Sequence, residues 1–331
     1  MINRSKIKQI LLRVIKILFI IISLIFLLLF TITKLFSDEI ENEILKKIKS
    51  QINTSLTLED VEFTFYDNFP KASVRITNLL IKEPEGFEND TLIFSKKAYI
   101  EISLLDIFDK NYNIENIIIS DAKINIKYNN LNEPNYDIFK KAESSEKQNT
   151  LDIKKISLLN TNLEITKATT ELNINWDLHK ALILINDTKF NIEANGFSKN
   201  LTLDSNEYML NKKIYFSTNT SISKKSTDIL NLTCQIEETS LQLSGRIIND
   251  SINLNVSSNN ENVKRFISIM PENIRKFLTP FDLNGEVSFT SQIKGTITKN
   301  NNPYFEMQYH LENGYFKKHS HPFNLNQIYM K

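Results

Sequence analysis

The chain has 331 residues, with 40 lysines and arginines against 39 acids, one cysteine and six glycines. A net charge of +1 points away from nucleic acid and from strongly acidic substrates. A lone Cys234 excludes an intramolecular disulfide and a cysteine-built metal site, and with so few glycines and no GxGxxG or GK[ST] the phosphate-cradling loops of nucleotide-binding folds are excluded too.

The first feature along the chain is an uncharged, almost wholly apolar run over residues 17–33, between Lys16 and Lys34. As a helix it covers ~25 Å, a little short of a ~30 Å hydrocarbon core. The apolar pattern extends back through Leu11, Leu12, Val14 and Ile15, and the side chains of Arg13 and Lys16 are long enough to reach headgroups. The reading is a spanning helix over 11–36, with 1–36 as cytoplasmic tail and anchor. Arg4, Lys6, Lys8, Arg13 and Lys16 precede the run, whereas Asp38, Glu39, Glu41 and Glu43 follow it, which places the N-terminus inside and the body outside. The alternative, a cleaved signal peptide, has a shorter core and a small-residue cleavage site; no alanine occurs before Ala72. An exported body without disulfides suits a bacterial envelope.

A second helix is expected over 37–52, capped by Ser37, with Ile40, Ile44, Leu45, Ile48 and Ile52 as an apolar stripe that docks on a sheet or on the bilayer. From Ser55 the period becomes two. Val61, Phe63 and Phe65 alternate with polar residues, then Ala72, Val74 and Ile76, then Leu92 and Phe94, then Ala98, Ile100 and Ile102. Residues 104–108 form a short apolar turn. Residues 114–119 pair with Ala122, Ile124 and Ile126 across a hinge at Ser120 and Asp121. The pattern is that of a long antiparallel sheet with one apolar face, the fold class being mainly β. Residues 141–150 read as a polar linker between a region over 37–140 and a repetitive β region over 151–331. In the latter, alternation persists with polar turns every eight to twelve residues or so. It is interrupted by a helical insertion over 261–278, divided by Pro271. The strand pattern still runs at Lys331, so the chain is expected to continue its sheet beyond that point or to meet a partner there.

Several stretches resemble the N-terminal region of the AsmA family over roughly residues 10–140. These are VEFTFYDNFPKASVRITNLLI with Phe69-Pro70 after its first strand, LIFSKKAYIEISLLDIFDKNYNIENIIISDAKINI with Leu104-Leu105-Asp106-Ile107 before Asn111, and NEPNYDIFKK with Asn135-Tyr136-Asp137-Ile138. Farther on, LNGEVSFTSQIKG resembles that family's C-terminal repeats. The resemblance implies an inner-membrane protein of Gram-negative bacteria that projects into the periplasm. There a twisted sheet curls into a groove, sheltering the acyl chains of membrane phospholipid, in lipid traffic and outer-membrane assembly. Val61, Phe63, Phe65, Val74, Ile76, Ile124 and Ile126 are the expected lining. The same residues could instead pack a sealed core. The competing functional reading is a non-catalytic envelope scaffold docking a protein partner through its open C-terminal sheet edge.

Nothing in the sequence calls for a cofactor or a metal. His319 and His321 could touch an ion, but no acid or cysteine nearby completes a ligand set. His179 and His310 are isolated, and Asp106, Asp121 and Asp137 sit at turn positions where they satisfy backbone groups. Without a GxSxG elbow or a Ser-His-Asp context, the chain is not expected to be an enzyme.

Overall fold

The computed structural model describes residues 4–64, 67, 71–88, 90–102, 114, 116–140, 153–203, 206–223, 226–249, 251–270, 272–296, 303–318 and 328–330. Phe65, the 104–108 turn, the 141–150 linker, Pro271, His319 and His321 lie outside them.

One helix, α1 (Arg4–Gln51), covers both of the helices expected from the sequence. Ser37 therefore does not cap a second helix. Its hydroxyl donates to Glu41 Oε1 one turn on, at 2.6 Å. The physical reason is the absence of a breaker: no glycine or proline occurs before Pro70. Among the described residues no helix is long and apolar enough to cross a membrane; in the 17–33 run the side chains at 25, 26, 28, 29, 32 and 33 lie outside them. The described side chains before Thr31 stand away from the protein, with Phe19 72% and Phe30 62% exposed.

The rest is mainly strand. In chain order the strands are β1 (Leu56–Thr57), β2 (Asp60–Thr64), β3 (Ala72–Lys82), β4 (Thr91–Ile102), β5 (Asn116–Tyr128), β6 (Lys155–Lys167), β7 (Leu172–Asn186) and β8 (Lys189–Leu203). They continue as β9 (Asn206–Tyr208), β10 (Lys212–Ile222), β11 (Ser226–Ile236), β12 (Thr239–Ile248), β13 (Ser251–Asn262), β14 (Phe281–Thr296), β15 (Tyr304–Lys318) and β16 (Ile328–Met330). All belong to one sheet that follows chain order from β3 and does not close on itself; β2 and β9 lie off its main path. Two short helices, α2 (Val263–Ser268) and α3 (Glu272–Leu278), join β13 to β14, as the insertion pattern predicts. Their start is two residues later than expected because Asn262 caps α2, its side chain accepting from the N–H groups of Lys264 and Arg265.

Two expectations about the sheet are also corrected. The first is the all-antiparallel sheet, since β5 and β6 run parallel. A parallel neighbour needs a crossover, and the segment between Tyr128 and Lys155 supplies it. Hydrogen bonds between β5 and β6 thereby join the 37–140 and 151–331 regions into one sheet. The second is the Ser120-Asp121 hinge, which is a kink inside the single strand β5. Asp121 has φ 51°, and Asn78 in β3 (48°) and Asn160 in β6 (47°) share that left-handed conformation. Pairing skips these three residues at the same level of the sheet. Asn and Asp tolerate this conformation best among residues with a side chain. Each kink shifts the alternation by one, so Ile76 and Leu79, like Ile119 and Ala122, face the same side. Buried hydroxyls serve carbonyls beside the kinks: Ser95 Oγ donates to Lys97 and Ser120, and Thr161 Oγ to Leu159.

The densest core lies where α1 meets β2–β4. Ile40 and Ile44 are fully buried against Phe63, Ala72, Val74 and Ile100. Glu41 fastens the helix to the strand by accepting from the Phe63 N–H at 2.9 Å. The stripe read from the sequence thus docks on the sheet.

Candidate functional site

Register pairing lines up one side of the sheet into rows. One row reads Val74, Ile100, Ile117, Ile156, Ile183, Ile192, Thr218, Leu232, Leu243, Val256, Ser291 and Met307, one residue from each of twelve successive strands, β3 to β8 and β10 to β15. Its two polar members are small hydroxyls bonded to backbone: Thr218 Oγ1 donates to Asn231 O and Ser291 Oγ to Glu306 O. The row one residue over, on the other side, reads Arg75, Tyr99, Ile118, Ser157, Leu182, Glu193, Ser217, Thr233, Gln242, Ser257, Thr290 and Gln308. The sheet is apolar on one face and mostly polar on the other along its length.

The two ends of the apolar face differ in cover. Under α1 it is sealed. From β6 onward Ile156, Ile183, Ile192, Leu232, Leu243, Val256 and Met307 are only half-buried, and among the described residues α2 is the helix that lies on that stretch, setting Phe266 against Phe289 at 5.4 Å between ring centres.

Between these ends lies a cavity of about 360 Å³. Leu45 and Ile48 of α1, with Ile52 just past its end, form one wall. Ile76, Ile81, Ile93, Ile100, Ile117, Ile119, Ile124 and Ile126 of the sheet form another, and Tyr136, Ile138 and Phe139 the roof. The roof is tied to the end of α1 by Asn53 N–H to Ile138 O and Lys140 N–H to Gln51 O, both 2.8 Å.

Asn135 sets the roof's position. Its Nδ2 donates to Glu83 Oε1 and Asn125 O, and its Oδ1 accepts from Lys127 N–H, each at 2.9 Å. Glu83, buried, also receives Lys127 Nζ at 3.0 Å. Burial works against the Lys127 charge, but Glu83 and Asp90 outweigh it and hold the ammonium pKa above its ordinary value. Asn135→Ala strands the Lys127 N–H and leaves Glu83 Oε1 with Lys127 Nζ alone, and we expect a loss of about 2 kcal/mol, read as a lower urea midpoint at unchanged slope.

Of the residues expected to line the groove, Ile76, Ile124 and Ile126 line this cavity. Val61, Phe63 and Val74 belong to the packed core beneath α1, Phe63 at 1% exposure and Val74 at 0%. Ile117, Ile119, Ile156 and the α1 wall were missed by the sequence reading. Asp121 and Asp137 take no part in a carboxylate pair. His179 lies edge-on to Phe197 at 5.4 Å and His310 Nε2 meets Glu312 at 3.1 Å. Among the described residues no group of three or more His, Cys, Asp or Glu could hold a metal ion. Trp176 faces Leu163 on the apolar side, its indole nitrogen buried without a hydrogen-bond partner among the described residues. Cys234 joins the same side between Phe216 and Leu241, where burial raises its thiol pKa. No protein-family model matches the chain, and no curated protein is recognisably similar to it.

Proposed function

We propose that this chain is a membrane-anchored, AsmA-like carrier whose apolar sheet face shelters the acyl chains of phospholipid in a Gram-negative envelope, its N-terminus cytoplasmic and its body in the periplasm. The observation that carries this is the apolar row across twelve strands, sealed at one end and half-open along the rest. A sealed core would carry the same row but be covered throughout by its second layer. A half-open apolar face of this length is a liability unless something apolar occupies it. Acyl chains satisfy that need at ~0.8 kcal/mol per methylene removed from water. The chemistry asks for no catalytic group.

The anchor reading rests on the uncharged 17–33 run, its basic N-terminal flank and the exposed side chains of α1. The family relationship rests on the sequence motifs. Movement of lipid and outer-membrane assembly extend the same reading.

The test is in-cell photocrosslinking from the cavity wall. A crosslinker at Ile119 or Ile124 is expected to capture phospholipid, while one on the polar face at Gln242 is not. Equal labelling of both faces, or none at either wall position, would remove the proposal.

A further inference from the structure

The polar face changes character along its length. Up to β8 it carries charge: Arg75 and Glu193 stand in its middle row, and ion pairs join Lys123 to Glu164 and Lys199 to Asp177. From Ser217 on β10 to Gln308 on β15 the same row holds no charge. The next row on that face is Asn219, Asn231, Ser244, Asn255, Gln292 and Glu306, with Asn231 in the β11 bulge opposite Ser244. Two side chains from each of six strands thus include one charge, Glu306 at the far end. The chain as a whole is 24% charged, and ~25–35% is usual for a wetted surface.

We propose that this strip binds an extended, uncharged glycan laid across the strands. The site is on the opposite face from the acyl groove, and the inference does not depend on that reading.

The chemistry of the side chains sets the ligand class. Amides and hydroxyls each both donate and accept, as sugar hydroxyls do. Among the described residues only Asn219 and Asn231, at one end, bond each other, at 3.0 Å, and Glu306, at the other, accepts from the Tyr304 hydroxyl at 3.5 Å. The donors and acceptors between them are free for a ligand. With no cation in the strip, an anionic ligand would lose water from its charges and gain no ion pair.

The shape fits a chain molecule. Two depressions of about 420 and 390 Å³ adjoin and share Asn255 and Ser257, which makes a trough across β11 to β15. Equivalent side chains recur every ~4.8 Å from strand to strand, close to the length of one pyranose unit, so the six strands span about 24 Å. Leu230, pushed outward by the β11 bulge, lines one depression, and Tyr304 stands exposed beside Glu306 at the end of the trough. Both offer apolar surface to the C–H face of a sugar ring.

The test is isothermal titration calorimetry on the full chain held in amphipol, which carries no sugar. The probes are chitopentaose and cellopentaose, with the pentamer of galacturonate as an anionic chain of equal length. The expected result is saturable, submillimolar binding of at least one neutral pentamer, with galacturonate about tenfold weaker or worse. Gln242→Ala and Gln292→Ala each remove an exposed side chain at little cost to the fold, and each should weaken the neutral pentamer about fivefold through one lost hydrogen bond. Ser157→Ala, on the same polar row at β6 but outside the strip, should leave the affinity unchanged. The proposal is overturned if neither neutral pentamer binds, if galacturonate binds as tightly, or if both glutamine variants keep full affinity.

Discussion

Phe63→Ala is expected to destabilise the N-terminal part of the fold by about 3–5 kcal/mol, the largest loss we anticipate from a single truncation. Among the described residues Phe63 is the largest of the fully buried side chains, and it is 1% exposed. It is the point at which α1 grips the sheet, since its ring sits among Ile40, Ile44 and Val74 and its N–H donates to Glu41. Truncation leaves a cavity that neighbours cannot close, because Ala72, Val74 and Ile100 are fixed by their strand pairing. The measurement is limited proteolysis of the detergent-solubilised chain together with a thermal melt. Cleavage should appear first within 37–55, as α1 lifts from β2, while the strands from β6 onward stay protected. Glu41→Gln separates packing from the hydrogen bond. It keeps an acceptor for the Phe63 N–H, so its effect should be a small fraction of the Phe63→Ala loss. A uniform loss of protection over the whole sheet would refute this local picture.

The contrast between Phe63 and Ile119 explains what could be read from the sequence. Period-two alternation is a local property, and it correctly marks Val74, Ile76, Ile124 and Ile126 as facing the apolar side. The stretch Ile117-Ile118-Ile119 does not alternate, so nothing local says which two of the three face inward. The answer depends on the kink at Asp121, whose position opposite Asn160 is a matter of register between strands distant in sequence. Whether an inward residue is sealed or lines open space is less local still. Phe63 and Ile124 carry similar sequence signals, but α1 crosses over one and stops short of the other. The parallel β5–β6 pair was hidden for a related reason, because it depends on where the crossover segment runs. Its described first part, up to Lys140, is held by Asn135 reaching Glu83, a contact between residues far apart in the chain. Conversely, the helical insertion between β13 and β14 was legible because its signal, an apolar spacing of three and four, is short-range, although the Asn262 cap that sets its start was not read.

Ile183→Asp should separate loading of the groove from passage along it. Ile183 sits mid-row, between Ile156 and Ile192, on the half-open part of the apolar face. Because it is not sealed, a carboxylate there can stay hydrated, and the cost to the fold is of the order of 1 kcal/mol from strand preference and lost packing. An acyl chain crossing that position must instead strip water from the charge or detour around it, at a cost of several kcal/mol. That is enough to slow passage by two to three orders of magnitude. The cavity lies on the α1 side of β7, so a crosslinker at Ile124 should still capture lipid in the Asp variant. One at Leu243, four strands beyond β7 along the same row, should lose its lipid. Ile183→Asn, uncharged and nearly the same shape as Asp, should restore much of the Leu243 signal, which identifies the charge rather than the volume as the block. If the Leu243 crosslink survives Ile183→Asp undiminished, lipid does not travel along this row. The half-open face beyond β6 would then serve to bind something that arrives from the side.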